Sequence, residues 1–439
     1  MTEITVPPGS WLRRLLQVSD EPLDTILAWA QASDGVTELA WPVPGQRQLL
    51  VTRPDLVEEI LVRKHKRFRK DAFTRRLSNI IGDSLVTADE ETWRRHRRLA
   101  QPAFHQRRVD AYARVMVEEA EACVAGLGDG ERLNLHDLMM ALTLRVVCRA
   151  LFGAQVSETL DALGRAIEEY LRWFPGVLRT GKSPPDWIPT PANRRMRAAV
   201  RVFDGFLGRL IAERRAAPSD DLLSALIAAV DDDGATLSDP ELRDLAATLM
   251  LAGHETTAVA LAMAFHLLDT HPEARASLEA EVDALEAPLG LHSLAGLRFT
   301  TQVFKETMRL YPPVFGLGRE VLEDTPLGEF SLRAGDQLWI TQWTVHRDPR
   351  WYDDPLAFRP ERWTPEMEAA LPRFAYFPFG GGPRVCIGQR FAMMEGALLL
   401  AVLARAARFE MVHPEPPELL PSVTIRPVGG LPVTVHRRS

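Results

Sequence analysis

Residues 379–388 read FGGGPRVCIG, and after Gln389 and Arg390 an apolar segment with helical spacing follows, FAMMEGALLLAVLARAARF. Gly380, Gly381 and Gly382 let the backbone turn tightly, and Pro383 stiffens the exit. Cys386 then falls at a helix start, where free N–H groups and the helix dipole favour a thiolate, a sulfur poised to ligate a soft metal centre. Gly388 leaves no side chain one turn into that helix, so a flat ligand can lie close. Arg384, two residues before the sulfur, is placed to meet an anionic group at the ligand's edge.

Zinc or an iron–sulfur cluster needs further ligands nearby, and no second Cys or His stands at ligand spacing around Cys386. A lone axial thiolate on haem iron needs one sulfur only. Phe379, Gly382, Arg384, Cys386 and Gly388 match F-x-x-G-x-R-x-C-x-G, which resembles the haem-binding signature of the cytochrome P-450 family. The resemblance implies haem b with Cys386 as iron ligand and Phe379, Arg384 and Gly388 as cofactor contacts. It also implies a mainly α fold with small β-sheets (α+β), one domain over residues 1–439, with a small mixed N-terminal lobe rich in β and a large helical lobe. The haem is expected between a long central helix and the Cys-bearing loop and helix.

Composition agrees with a globular chain: 439 residues, 46% hydrophobic and 25% charged, with no Ser/Gly- or Pro-rich linker. Three cysteines imply no disulfide framework and fit a reducing cytoplasm. A formal charge of −7 gives no reason to expect nucleic acid. The N-terminus lacks the apolar run of a signal peptide, and no stretch reaches ~18 uninterrupted apolar residues, so a soluble monomer without a transmembrane anchor is expected. The sequence leaves no room after Ser439 for a fused flavin reductase, so electrons are expected from separate proteins.

Along the chain, 24–31 reads as a short helix, 38–51 alternates like a hairpin, and a helix follows from Pro54 to about Val62. Residues 64–91 read as a polar, irregular loop, a length that usually carries function. Helical periodicity then covers 108–127, 135–152, 157–174, 192–216 and 220–230. Between the last of these helices but two and its successor lies a stretch rich in Pro and aromatics, 173–191. Trp93 and Arg97, four apart, share one helix face. Arg94, Arg95, Arg98, Arg107 and Arg108 form either a solvated basic face or a surface that steers an acidic partner.

A capping box of Ser238 and Glu241, with Pro240 in the first turn, predicts a helix to about Thr270, where His271-Pro272 stops it. Roughly thirty residues at ~1.5 Å each span about 45 Å. Its centre reads AGHETT, residues 252–257. A zinc-protease reading of His254-Glu255 fails because position 258, where a second His is needed, is Ala258. A helix over 300–310, ended by Pro312-Pro313, holds Glu306 and Arg309 on one face. Residues 318–343 alternate like strands with turns at Pro326 and Gly335, and 421–435 reads as a final hairpin.

Several of these segments resemble counterparts in the same family. The resemblance implies that Trp93, Arg97 and Arg319 bind haem propionates and that 173–191 lids the pocket entrance. Ala252 would leave room for oxygen and substrate, Thr256 would bond bound dioxygen or water, and Glu255 would relay protons. It also implies a buried network of Glu306, Arg309 and Arg362, with Trp363 where Phe is usual, and a substrate pocket touched by Phe73, Leu77, Ile80, Val314, Phe315 and Val423. The expected activity is insertion of one atom of dioxygen, by hydroxylation or epoxidation, into a terpenoid- or carotenoid-like molecule. Electrons from NAD(P)H would arrive through a ferredoxin or flavodoxin with its reductase. Two alternatives stay open: a fatty-acid hydroxylase of the same family, with Arg75 and Arg76 on the carboxylate, and a haem-binding protein without turnover.

Overall fold

A 32-residue helix, Asp239–Thr270, runs through the interior and carries AGHETT at its centre. Ser238 accepts from the Glu241 N–H and Glu241 reaches back to the Ser238 N–H, so the predicted capping box is formed. Pro272 forces His271 out of helical geometry and then opens the next helix, Pro272–Asp283, which the sequence reading did not anticipate. By length and composition the central helix passes for a membrane span, yet 78% of its most apolar window is buried inside the protein. Apolar on all sides, it is a core helix. Against it pack Leu135–Phe152, Pro191–Ala216, Arg298–Leu310 and Gln389–Ala406. Thr143 Oγ1 donates to His254 O at 2.9 Å, fastening the first of these to the AGHETT segment.

The computed structural model describes residues 3–40, 46–153, 162–169, 188–231 and 233–438, apart from the side chains of Ser19, Asn79, Ile80, Arg107 and Val109. Most of the expected lid, 173–191, lies outside these residues, as does much of the helix expected over 157–174, of which 162–169 is described and helical.

The small lobe is not purely N-terminal. Its five-stranded sheet sets Val36–Leu39, Gln48–Val51, Gln337–Ile340, Leu317–Val321 and Phe68–Arg69 side by side. The pair Gln48–Val51 and Gln337–Ile340 is parallel, which only a long crossover permits, here most of the helical lobe. Beneath it lies a separate core of Val36, Leu49, Leu56, Ile60, Phe68, Leu338 and Phe377 among others. Pro326 sits within a short strand, Thr325–Leu327, and the turn falls at Gly328 in the left-handed region (φ 52°). The final hairpin is Leu419–Pro421 with Ile425–Pro427, while Pro432–Arg437 leaves it to pair with Arg132–Asn134 and Ala407–Met411. The stretch 64–91 contains short helices, Ala72–Arg76 and Ser78–Ile81. A further helix, Trp11–Asp20, is capped by Ser10.

Candidate active site

Gly380 and Gly382 take left-handed backbone (φ 70° and 67°), and a Cβ on Gly382 would lie 1.9 Å from the Leu61 carbonyl oxygen. The loop is therefore wedged against 59–63, and only glycine permits that approach. The Cys386 N–H donates to Phe379 O at 3.0 Å, closing the turn that presents the sulfur. Gly388 is the N-cap of Gln389–Ala406, so Cys386 stands two residues ahead of the cap rather than inside the first turn.

Cys123 and Cys148 are buried, and Cys386 is exposed. Burial pushes the Cys386 thiol up, against the pull of the Gly388 N–H and the Arg97 charge. A bound metal ion deprotonates such a thiol outright. A Cβ on Gly388 would meet only Phe104 at 3.8 Å and Cys386 Sγ at 3.9 Å, ordinary contacts in an unstrained backbone. The protein itself does not demand glycine there, which suits a flat group lying beside the sulfur.

On the central helix Ala252 is exposed and Gly253 and Thr256 are half-buried, interrupting an otherwise buried surface. Thr256 Oγ1 donates to Ala252 O at 2.8 Å, a bond it can exchange for one to a bound molecule. Glu255 points elsewhere. Its buried carboxylate accepts from Thr424 Oγ1 and from Arg426, whose Nε lies at 2.6 Å and whose Nη2 also bonds. The sequence paired Glu255 with Thr256; in space the two leave the helix in different directions, as successive helical residues must.

Cations gather on the other side of the Cys loop. Arg97 Nη1 donates to Val385 O at 2.7 Å. Arg384 donates to Ala88 O at 2.7 Å, lies over the Trp93 ring at 4.6 Å and is 3.5 Å from Asp89. Arg319 is buried and, among the described residues, its side chain bonds only its own neighbour's carbonyl, Gly318 O, at 2.7 Å. Burial, then Arg384, draws its guanidinium down to about 10, with Asp71 and Asp89 pushing back. Lys70, which the sequence reading passed over, is drawn well below the usual lysine value by burial and then by Arg319 and Arg384. Lys70, Trp93, Arg319 and Arg384 line a cavity of about 260 Å³. Among the described residues, no carboxylate lies within ion-pair distance of Lys70 or Arg319. Cations without a carboxylate partner at such a cavity call for an anion.

Below this, Glu306 and Arg309 are fully buried. Arg309 Nε and Nη2 donate to Glu306 at 2.8 and 2.7 Å, and Arg362 Nε at 3.0 Å. The three predicted residues therefore meet. Trp363, standing where Phe is usual, joins them: its Nε1 donates to Glu306 Oε2 at 2.9 Å, a bond that phenyl cannot make. Its ring also stacks near Tyr376, 4.4 Å between centroids.

Of the expected pocket residues, Leu77 and Phe315 are buried, while Phe73, Val314 and Val423 are half-buried against the main core or beside it. Ile80 lies in Ser78–Ile81, with its side chain outside the described residues. Ile425 N–H donates to Pro313 O at 3.0 Å, bringing the hairpin of Val423 to the segment of Val314 and Phe315. Arg75 is not free for a carboxylate ligand, since it pairs with Glu320 at 2.7 Å; Arg76 is exposed. The basic face is also partly neutralised: Arg94 pairs with Glu90, Arg95 with Asp231 and Glu241, and Arg108 with Asp220.

Residues 7–431 match the family described as cytochrome P-450. Cyclooctatin synthase of Streptomyces melanosporofaciens is 35% identical over 446 residues, covering 98% of this chain and 93% of that protein. Pentalenene oxygenase of Streptomyces avermitilis is 34% identical over 392 residues, covering 88% of this chain and 85% of that protein. The crystal structure of the cytochrome P-450DA haem domain matches with a TM-score of 0.87 at 27% identity, covering 99% of this chain and 98% of that one. With an exposed cysteine on its glycine-rich loop, an open helix face beside Thr256 and a cationic cavity, the chain belongs to the cytochrome P-450 family of monooxygenases.

Proposed function

We propose that this protein binds haem b through Cys386 and oxidises a terpenoid-like hydrocarbon, inserting one oxygen atom by hydroxylation or epoxidation. The observation that carries the reading is the Cys386 sulfur, exposed on its glycine-rich loop, with Lys70, Arg319 and Arg384 left as unanswered or weakly answered cations around a cavity. Bound there, a thiolate-ligated haem supplies dioxygen activation, with electrons from NAD(P)H delivered by a separate ferredoxin or flavodoxin and its reductase.

The chain's own residues divide the remaining work. Arg97, Arg384, Arg319 and Trp93 hold the propionate edge, Phe379 and Gly388 shape the floor, and Glu306, Arg309 and Arg362 brace the loop region beneath. Ala252 leaves space over the floor, Thr256 presents a hydroxyl whose bond to Ala252 O is exchangeable, and Glu255 is the nearest acid in sequence for proton supply. Redox-partner docking does not rest on the basic helix alone, since Arg94, Arg95 and Arg108 are engaged by carboxylates of this same chain. We place the enzyme in a reducing cytoplasm, consistent with three unpaired cysteines.

The terpenoid assignment draws on two supports. Phe73, Leu77, Val314, Phe315 and Val423 offer apolar surface, and the relatives named above are a cyclooctatin synthase and a pentalenene oxygenase. The fatty-acid alternative loses Arg75 to Glu320. A Soret-band titration of the haem-loaded protein with terpenoids, carotenoid fragments and fatty acids tests the reading. A low- to high-spin shift with cyclic terpenes is expected; a shift with fatty acids alone overturns the substrate class, and absence of any Soret band after haem supplementation overturns the haem itself.

A further inference from the structure

The AGHETT segment supplies an acid whose side chain is fastened to the far end of the chain. Glu255 is 3% exposed and Thr424 2% exposed. Both Thr424 and Arg426 project from the same side of the Ile425–Pro427 strand region, two residues apart, as alternation in extended chain requires, and both bond the single oxygen Oε1 of Glu255. A buried carboxylate needs such partners. His254, the adjacent residue, cannot supply the charge: burial, then the Arg426 and His136 charges, draw its imidazole down to about 3. Among the described residues, Arg426 is the cation at ion-pair distance from Glu255.

We propose that Arg426 and Thr424 are positioning residues for Glu255, forming a latch that holds its carboxylate, paired with Arg426, turned away from Thr256 until the C-terminal hairpin moves. The inference rests on the haem-monooxygenase reading for its purpose, because an acid that serves Thr256 must first leave this latch. The hairpin is well placed to govern release. Its turn carries Val423 at the expected substrate pocket, and Ile425 ties it to Pro313, next to Val314 and Phe315. A molecule pressing on that wall bears on the residues that hold the acid.

Removing Arg426 leaves a buried carboxylate without its countercharge, and such a group takes up a proton rather than stay ionised. The test is infrared spectroscopy of the haem-loaded protein at pH 7, reading the protonated-carboxyl stretch. Arg426→Gln is expected to add a band to the protonated-carboxyl signal that buried Glu395 gives in every variant, and the added band should vanish in the Arg426→Gln/Glu255→Gln double variant. Arg426→Lys retains the charge without the planar fork, and is expected to rescue the ionised form. Thr424→Val, which keeps the shape and removes one donor, serves as a milder variant should Arg426→Gln fold poorly, and is expected to give a partial band. If both Arg426→Gln and Thr424→Val retain the thiolate-haem spectrum yet show no band that depends on Glu255, the latch is refuted while the haem reading stands. Loss of the thiolate-haem spectrum in the wild type itself would instead strike at the haem reading. As a second readout, affinity for 1-phenylimidazole, followed by its Soret shift, should fall at least threefold in Arg426→Gln if the hairpin also sets the pocket wall. Unchanged affinity overturns the link between the latch and the pocket.

Discussion

Trp363 offers the sharpest test of how the molecule is held together. Glu306 accepts five donated bonds: two from Arg309, one from Arg362, one from the Arg359 backbone N–H at 3.0 Å and one from Trp363 Nε1. Trp363→Phe removes only the last. A hydrogen bond to a charged group is worth ~1.5–3 kcal/mol, and the four remaining donors put this loss near the lower end. Trp363 is 3% exposed, so exchanging indole for phenyl also leaves unfilled volume, roughly 1 kcal/mol more. The expected destabilisation is about 3 kcal/mol. Glu306→Gln is expected to cost more, ~3–5 kcal/mol, because Arg309 and Arg362 then lose their buried countercharge. Lys305→Met separates the hydrogen bond from ring stacking, since Lys305 sits 5.7 Å from the Trp363 ring and pairs with the exposed Glu368. Its cost should stay below ~1 kcal/mol. Urea unfolding followed by far-ultraviolet circular dichroism gives all three values. A Trp363→Phe protein within about 0.5 kcal/mol of the wild type would refute the view that the indole N–H is part of the buried charge network.

Cys386→Ser should abolish the thiolate-type spectrum of the ferrous carbon monoxide adduct, and persistence of that spectrum would remove Cys386 as the ligand. Thr256→Ala should divert electrons from product to peroxide; the ratio of peroxide to NAD(P)H consumed measures this, and an unchanged ratio contradicts the role given to the hydroxyl. Arg319→Ala and Lys70→Met should each speed haem transfer to apomyoglobin, since each removes an enclosed cation, and equal transfer rates would contradict their placement at the propionates. Glu395 is fully buried, and burial pushes its carboxyl from 4.5 up to about 8 against a smaller pull from Thr257. Below the unfolded value both states are protonated; as pH rises toward 8 the unfolded chain alone gives up the proton, so stability falls across that window. Glu395→Gln should therefore gain on the wild type by a few kcal/mol between pH 5 and pH 8, at up to ~1.4 kcal/mol per pH unit, and a constant difference across urea curves at the two pH values would contradict the shift.

Much of the site was legible because its chemistry is local. Gly380 to Gly388 form one turn and a cap, Glu306 and Arg309 share a helix face, and the Ser238 capping box marks the central helix within a residue of its observed start. What was missed depends on partners distant in sequence. Lys70 is a plain surface-type residue in the sequence and becomes part of the cation cluster only beside Arg319 and Arg384. Arg75 looked available for a carboxylate until Glu320 stood opposite it. Trp363 read as a departure from pattern and proved to be a donor because helix Arg298–Leu310 brings Glu306 within 2.9 Å.

By itself, the sequence determined the long central helix and the alternation of helices and short strands, since these follow from spacing, capping and turn chemistry over a few residues, and its motifs resembled the family to which the chain belongs. Only the tertiary structure decided that the small lobe borrows strands from residues 317–340, that Cys386 stays exposed while Cys123 and Cys148 are buried, and that Glu255 is held by Thr424 and Arg426 instead of facing Thr256. The physical reason is common to all three. A residue's local geometry is set by its neighbours in the chain, whereas its burial, its ionisation and its hydrogen-bond partner are set by whichever segment the fold packs against it.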